Sequence, residues 1–378
     1  MYYDKKAIEL HKKNKGKIEI KSKVPLKTKD DLSLAYTPGV GAVCMEIAKN
    51  KKKSWELTNR SNQVAIVCDG TAVLGLGDIG PEAGMPVMEG KSVIFKEFAD
   101  IDAVPICINT KDVDEIVKFC KQIEPSFGGI NLEDISAPRC FDILERLEKE
   151  LSIPVFHDDQ DGTAIVVLAA LINACRVSGK VMKELKIVIN GAGAAGIAIA
   201  RLLLAQGVKD IILVDSQGTL CDCRWNMNKY KREIAKKTNK KKIEGYKEEA
   251  LVGADVFIGV SKSKQLTGEM IKTMNVDPII FAMANPEPEI LPEEALKAGA
   301  VVVGTGRSDF PNQINNALVF PGIFRGLLDH KKRKVSTKAK LKASLAIAYS
   351  LKPTKNKILP NITDKKVVKA ISNAIKNS

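Results

Sequence analysis

The sequence predicts an α/β protein of two domains, and three observations carry that prediction. Short β-branched runs alternate with amphipathic stretches along most of the chain. In the first half, a strand–helix–strand unit places a pair of acids after each strand. In the second half, a strand runs into Gly191-Ala192-Gly193-Ala194-Ala195-Gly196 and then into an apolar helix.

The first set of strands is read at 64–68 (VAIVC), 103–109 (AVPICIN), 127–131 (FGGIN) and 153–156 (IPVF). The second is read at 186–190, 210–215, 255–260, 278–284 and 300–305. An apolar stretch at 161–179 reads as a buried helix joining the two sets. The boundary is therefore placed near residue 160, giving domains 1–160 and 161–378. The second domain, with closing helices, is expected to be a doubly wound parallel sheet of Rossmann type.

Composition excludes several classes. The formal net charge is +14, and its base is almost all lysine, with clusters in the N-terminal arm, at 228–242 and at 330–342. Aromatics make up only 5% of the chain and do not interleave with those clusters, so no specific nucleic-acid partner is expected. No run approaches the roughly 18 apolar residues of a membrane span, so no membrane partner is expected. The first thirty residues lack the apolar core of a signal peptide. Eight scattered cysteines with no CxxC pair suit a reducing cytoplasm better than a disulfide framework.

Between FGGIN and IPVF, apolar residues at 140, 141, 144, 147 and 151 make one helical face. The unit is then βαβ, with parallel strands and a right-handed crossover. Glu133 and Asp134 follow the first strand, and Asp158 and Asp159 follow the second. If the strands are neighbours, about 4.8 Å apart, the two pairs converge where open sheets bind ligands. Four carboxylates brought together repel unless a cation sits among them. The chain has three histidines and no cysteine in either motif. Oxygen-only ligation favours Mg²⁺ or Mn²⁺ over Zn²⁺. The bland alternative is that Asp134 and Asp158 cap the helices that follow. A calcium loop is excluded, because aligning Asp159, Asp161 and Gly162 on that pattern puts Leu168 where a bidentate Glu is needed.

In the glycine motif, Gly191 makes the tight turn, Gly193 admits a pyrophosphate and Gly196 lets helix and sheet pack closely. Asp215 ends the next strand, 24 residues beyond Gly191. An acid there accepts hydrogen bonds from both adenosine ribose hydroxyls and repels a 2′-phosphate. NAD is therefore favoured, while Ser216 and Gln217 leave NADP open. The stretch 84–100 reads as a helix with Pro86 in its first turn, and Lys91 falls on its apolar stripe with Met88, Phe95 and Phe98. Lys91 either snorkels or is a desolvated base of lowered pKa. Tyr36, before a Pro-Gly turn, is read as packing in preference to catalysis.

DLSLAYTPGVG, VLGLGDIGPEAGMPVMEGK, GGINLEDISAPRCF, VFHDDQDGTA, GAGAAG and GTGRSDFPNQINNALVFPGIFRG resemble, in order and spacing, the short bacterial-type malic enzymes. The likeness runs from about residue 20 to the C-terminus. It implies an N-terminal α/β malate- and metal-binding domain and oxidative decarboxylation of L-malate to pyruvate and CO₂, with NAD(P) and Mg²⁺ or Mn²⁺. By that resemblance Glu133, Asp134 and Asp159 hold the metal, with Asp158 beside them. Lys91 takes the C2 hydroxyl proton and Tyr36 protonates C3. Asn285 and Asn315 or Asn316 hold the substrate carboxylate. A homodimer is implied as well. Larger relatives carry an arginine where this chain has Thr71-Ala72, which leaves the second carboxylate without a named partner. Asp161 receives no role. Two rivals are a malolactic enzyme, releasing lactate, and a non-catalytic NAD-binding regulator on the same scaffold.

Overall fold

The computed structural model describes residues 2–378. Two parallel sheets dominate it. The first has the order β2-β1-β3-β4, built from β1 (Gln63–Cys68), β2 (Asp102–Cys107), β3 (Gly129–Glu133) and β4 (Val155–His157). All three pairings in it are parallel. The second follows as β5 (Lys186–Asn190), β6 (Asp210–Asp215), β7 (Gly218–Thr219), β8 (Val256–Gly259), β9 (Ile279–Ala282) and β10 (Val302–Thr305). Its order is β10-β9-β8-β5-β6-β7, parallel except for the short antiparallel β7 at the edge.

The strand order reverses between β1 and β3 in the first sheet and between β5 and β8 in the second. At such switch points the loops leaving neighbouring strands diverge, and the crevice between them takes ligands. Strand boundaries differ slightly from the sequence reading. The segment read at 127–131 begins at Gly129 and runs on to Glu133, and the one read at 153–156 is Val155–His157. Glu133 therefore ends its strand rather than following it.

The helix Pro81–Ala99 starts earlier than expected, with Pro81 rather than Pro86 in its first turn. The predicted helix at 161–179 is Thr163–Ser178, entered through a π-turn at Asp158–Gly162. With that turn it is, among the described residues, the one helix long and apolar enough to cross a membrane, and 78% of its apolar window is buried inside the protein. It packs between the helices Ala194–Gln206 and Thr337–Ala348 and so joins the two halves of the core. The helix Phe320–Asp329 returns to the first sheet, where Phe95 meets Phe320 and Phe324 at ring distances of 4.7 and 5.3 Å. By contrast, no residue from 3 to 62 is fully buried, although this arm forms the helices Lys29–Ala35 and Val40–Lys49.

The glycine turn after β5 has the shape its residues require. Gly191 sits at φ +125°, a backbone conformation that side chains resist. A methyl group at Gly193 would meet nothing within 4 Å, so that face is open. At Gly196 it would lie 1.7 Å from the Gly191 carbonyl oxygen. Gly196→Ala is expected to force helix and turn apart, costing about 1–3 kcal/mol of stability and the ability to bind a dinucleotide. Thermal melting and NADH fluorescence titration check this; unchanged NADH affinity would contradict it.

Candidate active site

Because β3 and β4 are paired with Leu132 opposite His157, the residues just beyond them are neighbours. Both acidic pairs therefore meet at one edge, as the βαβ reading expects. Asp134 turns back with φ 53°, which an aspartate adopts at some cost. Its amide donates to Asp159 Oδ2 at 2.9 Å, and its carbonyl accepts from the amides of Thr71 and Ala72 at 3.1 and 2.9 Å. The loop after β1 is thus tied to the loop after β3. One oxygen each from Glu133, Asp134 and Asp159 lie within 4.8 Å of one another.

Asp158 faces a different partner. It accepts a hydrogen bond from Lys91 Nζ, which also stands 2.9 Å from Glu133 Oε2 and 4.4 Å from the centre of the Phe320 ring. Gly162 is required here, since a Cβ on it would sit 1.8 Å from Asp158 Oδ1. The lysine is enclosed, with its side chain 9% exposed, so snorkelling does not describe it. Burial pulls the ammonium down, but Asp158, Glu133 and Asp159 raise it further, and its pKa ends above the ordinary lysine value. In this state the direction is opposite to the lowered pKa that the sequence suggested.

The acids respond to the same crowding. Burial and then Asp159 push Glu133 well above the usual carboxylate range, and they raise Asp134 to about 8. Burial raises Asp158 to about 6 against the pull of Lys91. Asp134 Oδ2 is buried without a hydrogen-bond partner, a costly arrangement for a polar atom unless something binds it. The donors are hard oxygens, and one lysine faces four acids. This set fits a divalent cation such as Mg²⁺ or Mn²⁺. His157 lies behind it, fully buried and held neutral chiefly by that burial, with Nδ1 3.8 Å from Asp159 Oδ2. Asp161, left without a role by the sequence, pairs with Lys340 at 2.6 Å.

A cleft of about 660 Å³ opens over Lys91, Glu133, Asp134 and Asp159 and extends to Ala195 in the glycine turn. Asn285, Asn315 and Asn316 line it, so the structure brings these predicted residues together. Asn285 precedes a cis proline, and its carbonyl oxygen lies so close to Gly75 that a Cβ there would approach to 1.6 Å. Asn315 Oδ1 is already engaged by the Ala317 amide at 2.8 Å, which leaves its NH₂ to donate. Lys17, which the sequence reading missed, also lines the cleft, held at 2.7 Å from the Pro86 carbonyl oxygen. Arg139 is occupied elsewhere, on Asp69 at 3.0 Å and Thr71 at 2.9 Å. Tyr36 is not brought to this cleft: it is 66% exposed on the arm.

At the end of β6, Asp215 stands where expected but is not free. Arg224 grips it with two hydrogen bonds of 2.9 and 2.7 Å, and Lys231 adds one of 2.6 Å. Burial opposes its ionisation, yet these contacts prevail and hold it down at about 2. The loop between β7 and Lys231 contains a Cys221–Cys223 bond. It spans a sequence separation of 2 and links no distant segments, so it is not a disulfide framework of the kind the scattered cysteines argue against.

Residues 15–148 match the family model described as malic enzyme, N-terminal domain, and residues 160–377 match malic enzyme, NAD binding domain. The chain is 56% identical over 373 residues to a bifunctional malic/malolactic enzyme from Bacillus subtilis (strain 168), covering 98% of this chain and 91% of that one. It is 54% identical over 363 residues to an NAD-dependent malic enzyme from Geobacillus stearothermophilus, covering 95% and 76%. The crystal structure of an NAD-dependent malic enzyme from Thermotoga maritima superposes with a TM-score of 0.95 at 50% identity, covering 98% of this chain and 99% of that one. Two matched domain models across nearly the whole chain, and relatives that share more than half its residues, place it in a family: the chain belongs to the malic enzymes.

Proposed function

We propose that this chain oxidatively decarboxylates L-malate to pyruvate and CO₂ while reducing NAD or NADP. The observation that carries the reading is the meeting of Glu133, Asp134 and Asp159 with an enclosed lysine at the floor of a cleft that reaches the dinucleotide turn. Glu133, Asp134 and Asp159 are the proposed ligands of Mg²⁺ or Mn²⁺. Held there, the cation would offset the carboxylate field on Lys91 and supply Lewis-acid stabilisation at the substrate oxygens, and a nicotinamide in the cleft would supply the hydride acceptor.

The chain's own groups do the rest. Asn285, Asn316 and the Asn315 amide orient the dicarboxylate by donating to it. Lys17 and Lys91 are the basic side chains that line the cleft, and Lys17 is assigned to the second substrate carboxylate. Asp158 fixes the direction of Lys91 Nζ. Lys91, once neutral, is positioned as the base for the C2 hydroxyl proton. Gly193 lets the pyrophosphate approach the backbone, and the start of the helix Ala194–Gln206 faces it.

Tyr36 remains the proposed donor of the proton to C3. Its position outside the cleft goes with a second part of the proposal, a homodimer. Leu34, Tyr36 and Met45 on the arm are all exposed, at 77, 66 and 59%. Pairing of two copies through these arms would cover them and carry Tyr36 toward a cleft. A cytoplasmic location belongs to the same reading and is supported by six free cysteines.

Product analysis tests the reaction. Malate with NAD or NADP should yield one pyruvate per reduced nicotinamide. The likeness to a bifunctional malic/malolactic enzyme makes lactate the product to look for. Lactate without net nicotinamide reduction would replace this reading by the malolactic one, and no turnover at all would favour a nucleotide-binding regulator.

The raised carboxyls also set a pH dependence. In metal-free protein, the stability due to protonated Asp134 is complete below its ordinary 3.8 and is lost as pH rises through about 8. A cation must displace that proton. Mn²⁺ affinity is therefore expected to climb at least about tenfold per unit between roughly pH 6 and 8. Mn²⁺ titration followed by electron paramagnetic resonance checks this, and a flat profile would contradict it.

A further inference from the structure

We infer that Glu289 is a positioning residue for malate binding: its buried carboxylate clasps the loop that presents Asn285 to the cleft. The inference rests on the reading of Asn285 as a contact of the substrate carboxylate and adds what holds that contact in place. Glu289 itself does not line the cleft.

Asn285 stands on the irregular loop between β9 and the helix Pro292–Lys297. It is exposed, whereas Glu289 in the same loop is 0% exposed. Glu289 Oε2 accepts from the Ala284 amide at 3.0 Å, so the side chain closes the loop onto the residue before Asn285. Glu289 Oε1 accepts from the Ser261 amide, just beyond β8, at 3.5 Å. Ser261 Oγ in turn accepts from Asn190 Nδ2, at the end of β5, at 3.1 Å. One carboxylate thus gathers the ends of the adjacent strands β9, β8 and β5. Ala284, Asn285 and Ser261 all line the cleft. Space for the carboxylate is made at Gly259, the last residue of β8, where a Cβ would lie 2.2 Å from Glu289 Cδ.

A buried charge opposes folding unless it is paired and hydrogen-bonded, and among the described residues no cation pairs with this one. Burial pushes Glu289 up to about 7, while the amides of Ala284, Glu289 itself and Ser261 pull the other way. Those amides need an acceptor at each oxygen. A carboxylate offers one, whereas a glutamine turns an NH₂ toward one of the N–H groups. An apolar side chain would fill the space without burying a charge, but it would leave the Ala284 amide without its acceptor and the loop without its clasp. From the outer side Arg307 Nη1 donates to the Pro286 carbonyl at 2.9 Å, so the residues flanking Asn285 are held from above and from below. A contact group needs such support, because a misplacement of about 1 Å can cost about a hundredfold.

A double-mutant cycle in the full chain tests this, with steady-state kinetics at about pH 8, where Glu289 is mostly ionised. Asn285→Ala should raise the malate KM about 10–100-fold, the usual worth of a hydrogen bond to a charged group. Glu289→Gln should raise it at least about fivefold with kcat within about threefold of wild type, because a hold on the bound carboxylate serves ground and transition states alike. In the Asn285→Ala background the same change should add less than about twofold, since it acts through that side chain. NADH affinity, followed by fluorescence, should stay within about threefold of wild type. A lowered kcat at unchanged KM is what a merely structural role would give, and it overturns the inference. So does a full KM effect in the Asn285→Ala background, or a loss of NADH affinity as large as the KM rise. An unchanged KM in Asn285→Ala overturns the reading of Asn285 itself, and with it this one. Should Glu289→Gln not fold, Glu289→Asp keeps the charge but draws the carboxylate back by one carbon, and it carries the same expectations and the same refutations.

Discussion

Lys91→Met should lower kcat about 10²–10⁴-fold, the usual contribution of a positioned acid–base group, while Mn²⁺ binds at least as tightly as to wild type. The two halves of this result separate the roles of the lysine. Its ammonium lies 2.9 Å from Glu133 and on Asp158, so it competes with a metal for Glu133. Methionine keeps most of the stem's volume against Phe320 but removes charge and base together. In metal-free protein the loss leaves Glu133 and Asp158 buried without their cation. Breaking such a pair costs about 3–5 kcal/mol unless the acids take up protons. The melting temperature should therefore fall most at neutral pH without metal and recover when Mn²⁺ is added. Retained kcat would remove Lys91 from the chemistry, and weakened Mn²⁺ binding would show that the lysine supports the metal rather than competing with it.

Asp159→Ala should abolish both Mn²⁺ binding and malate oxidation. Losing a partner outside the ligand set typically costs 10–100-fold in metal affinity. Loss of a ligand should exceed about 100-fold. This acid does two things at once, since Oδ2 also accepts the Asp134 amide at 2.9 Å and so steadies a residue held at φ 53°. Asp159→Asn separates the two effects, because the amide oxygen can keep that hydrogen bond while the charge is gone. If Asn restores melting temperature but not Mn²⁺ affinity, Asp159 acts as a ligand. If it restores both, the residue is a brace. Ordinary activity of the alanine variant at low Mn²⁺ would refute the ligation outright.

The convergence of the acidic pairs could be read from the chain because it follows from local pattern and handedness. A strand, one amphipathic helix and a second strand leave little choice but a parallel right-handed unit, so whatever follows the two strands must meet. The glycine turn was legible for a similar reason, each glycine having a steric task in a known geometry. Strand ends were less legible. Glu133 completes β3 fully buried, but an acid after an apolar run reads as a boundary.

What could not be read depends on partners distant in sequence. The charge state of Lys91 is set by acids 42 and 67 residues away, and no helical stripe reports which of burial and attraction wins. Asp161 finds Lys340, in a helix from the other end of the chain. Asp215 was legible as an acid at the right place. Its engagement by Arg224 and Lys231 depends on the path of an irregular loop that periodicity does not describe. Tyr36 lies on an arm without buried residues, and its surroundings within one chain say little about what it touches in an assembly.

Three carboxylates divided between two strand ends form the proposed metal centre on which malate oxidation depends. Its most direct test is to strip the protein with EDTA and return Mn²⁺ in steps, following bound metal and malate-dependent nicotinamide reduction on the same samples. The expected result is one Mn²⁺ per chain and activity that rises from near zero in proportion to occupancy. Full activity in the stripped protein, or tight Mn²⁺ binding that leaves the rate unchanged, would contradict it.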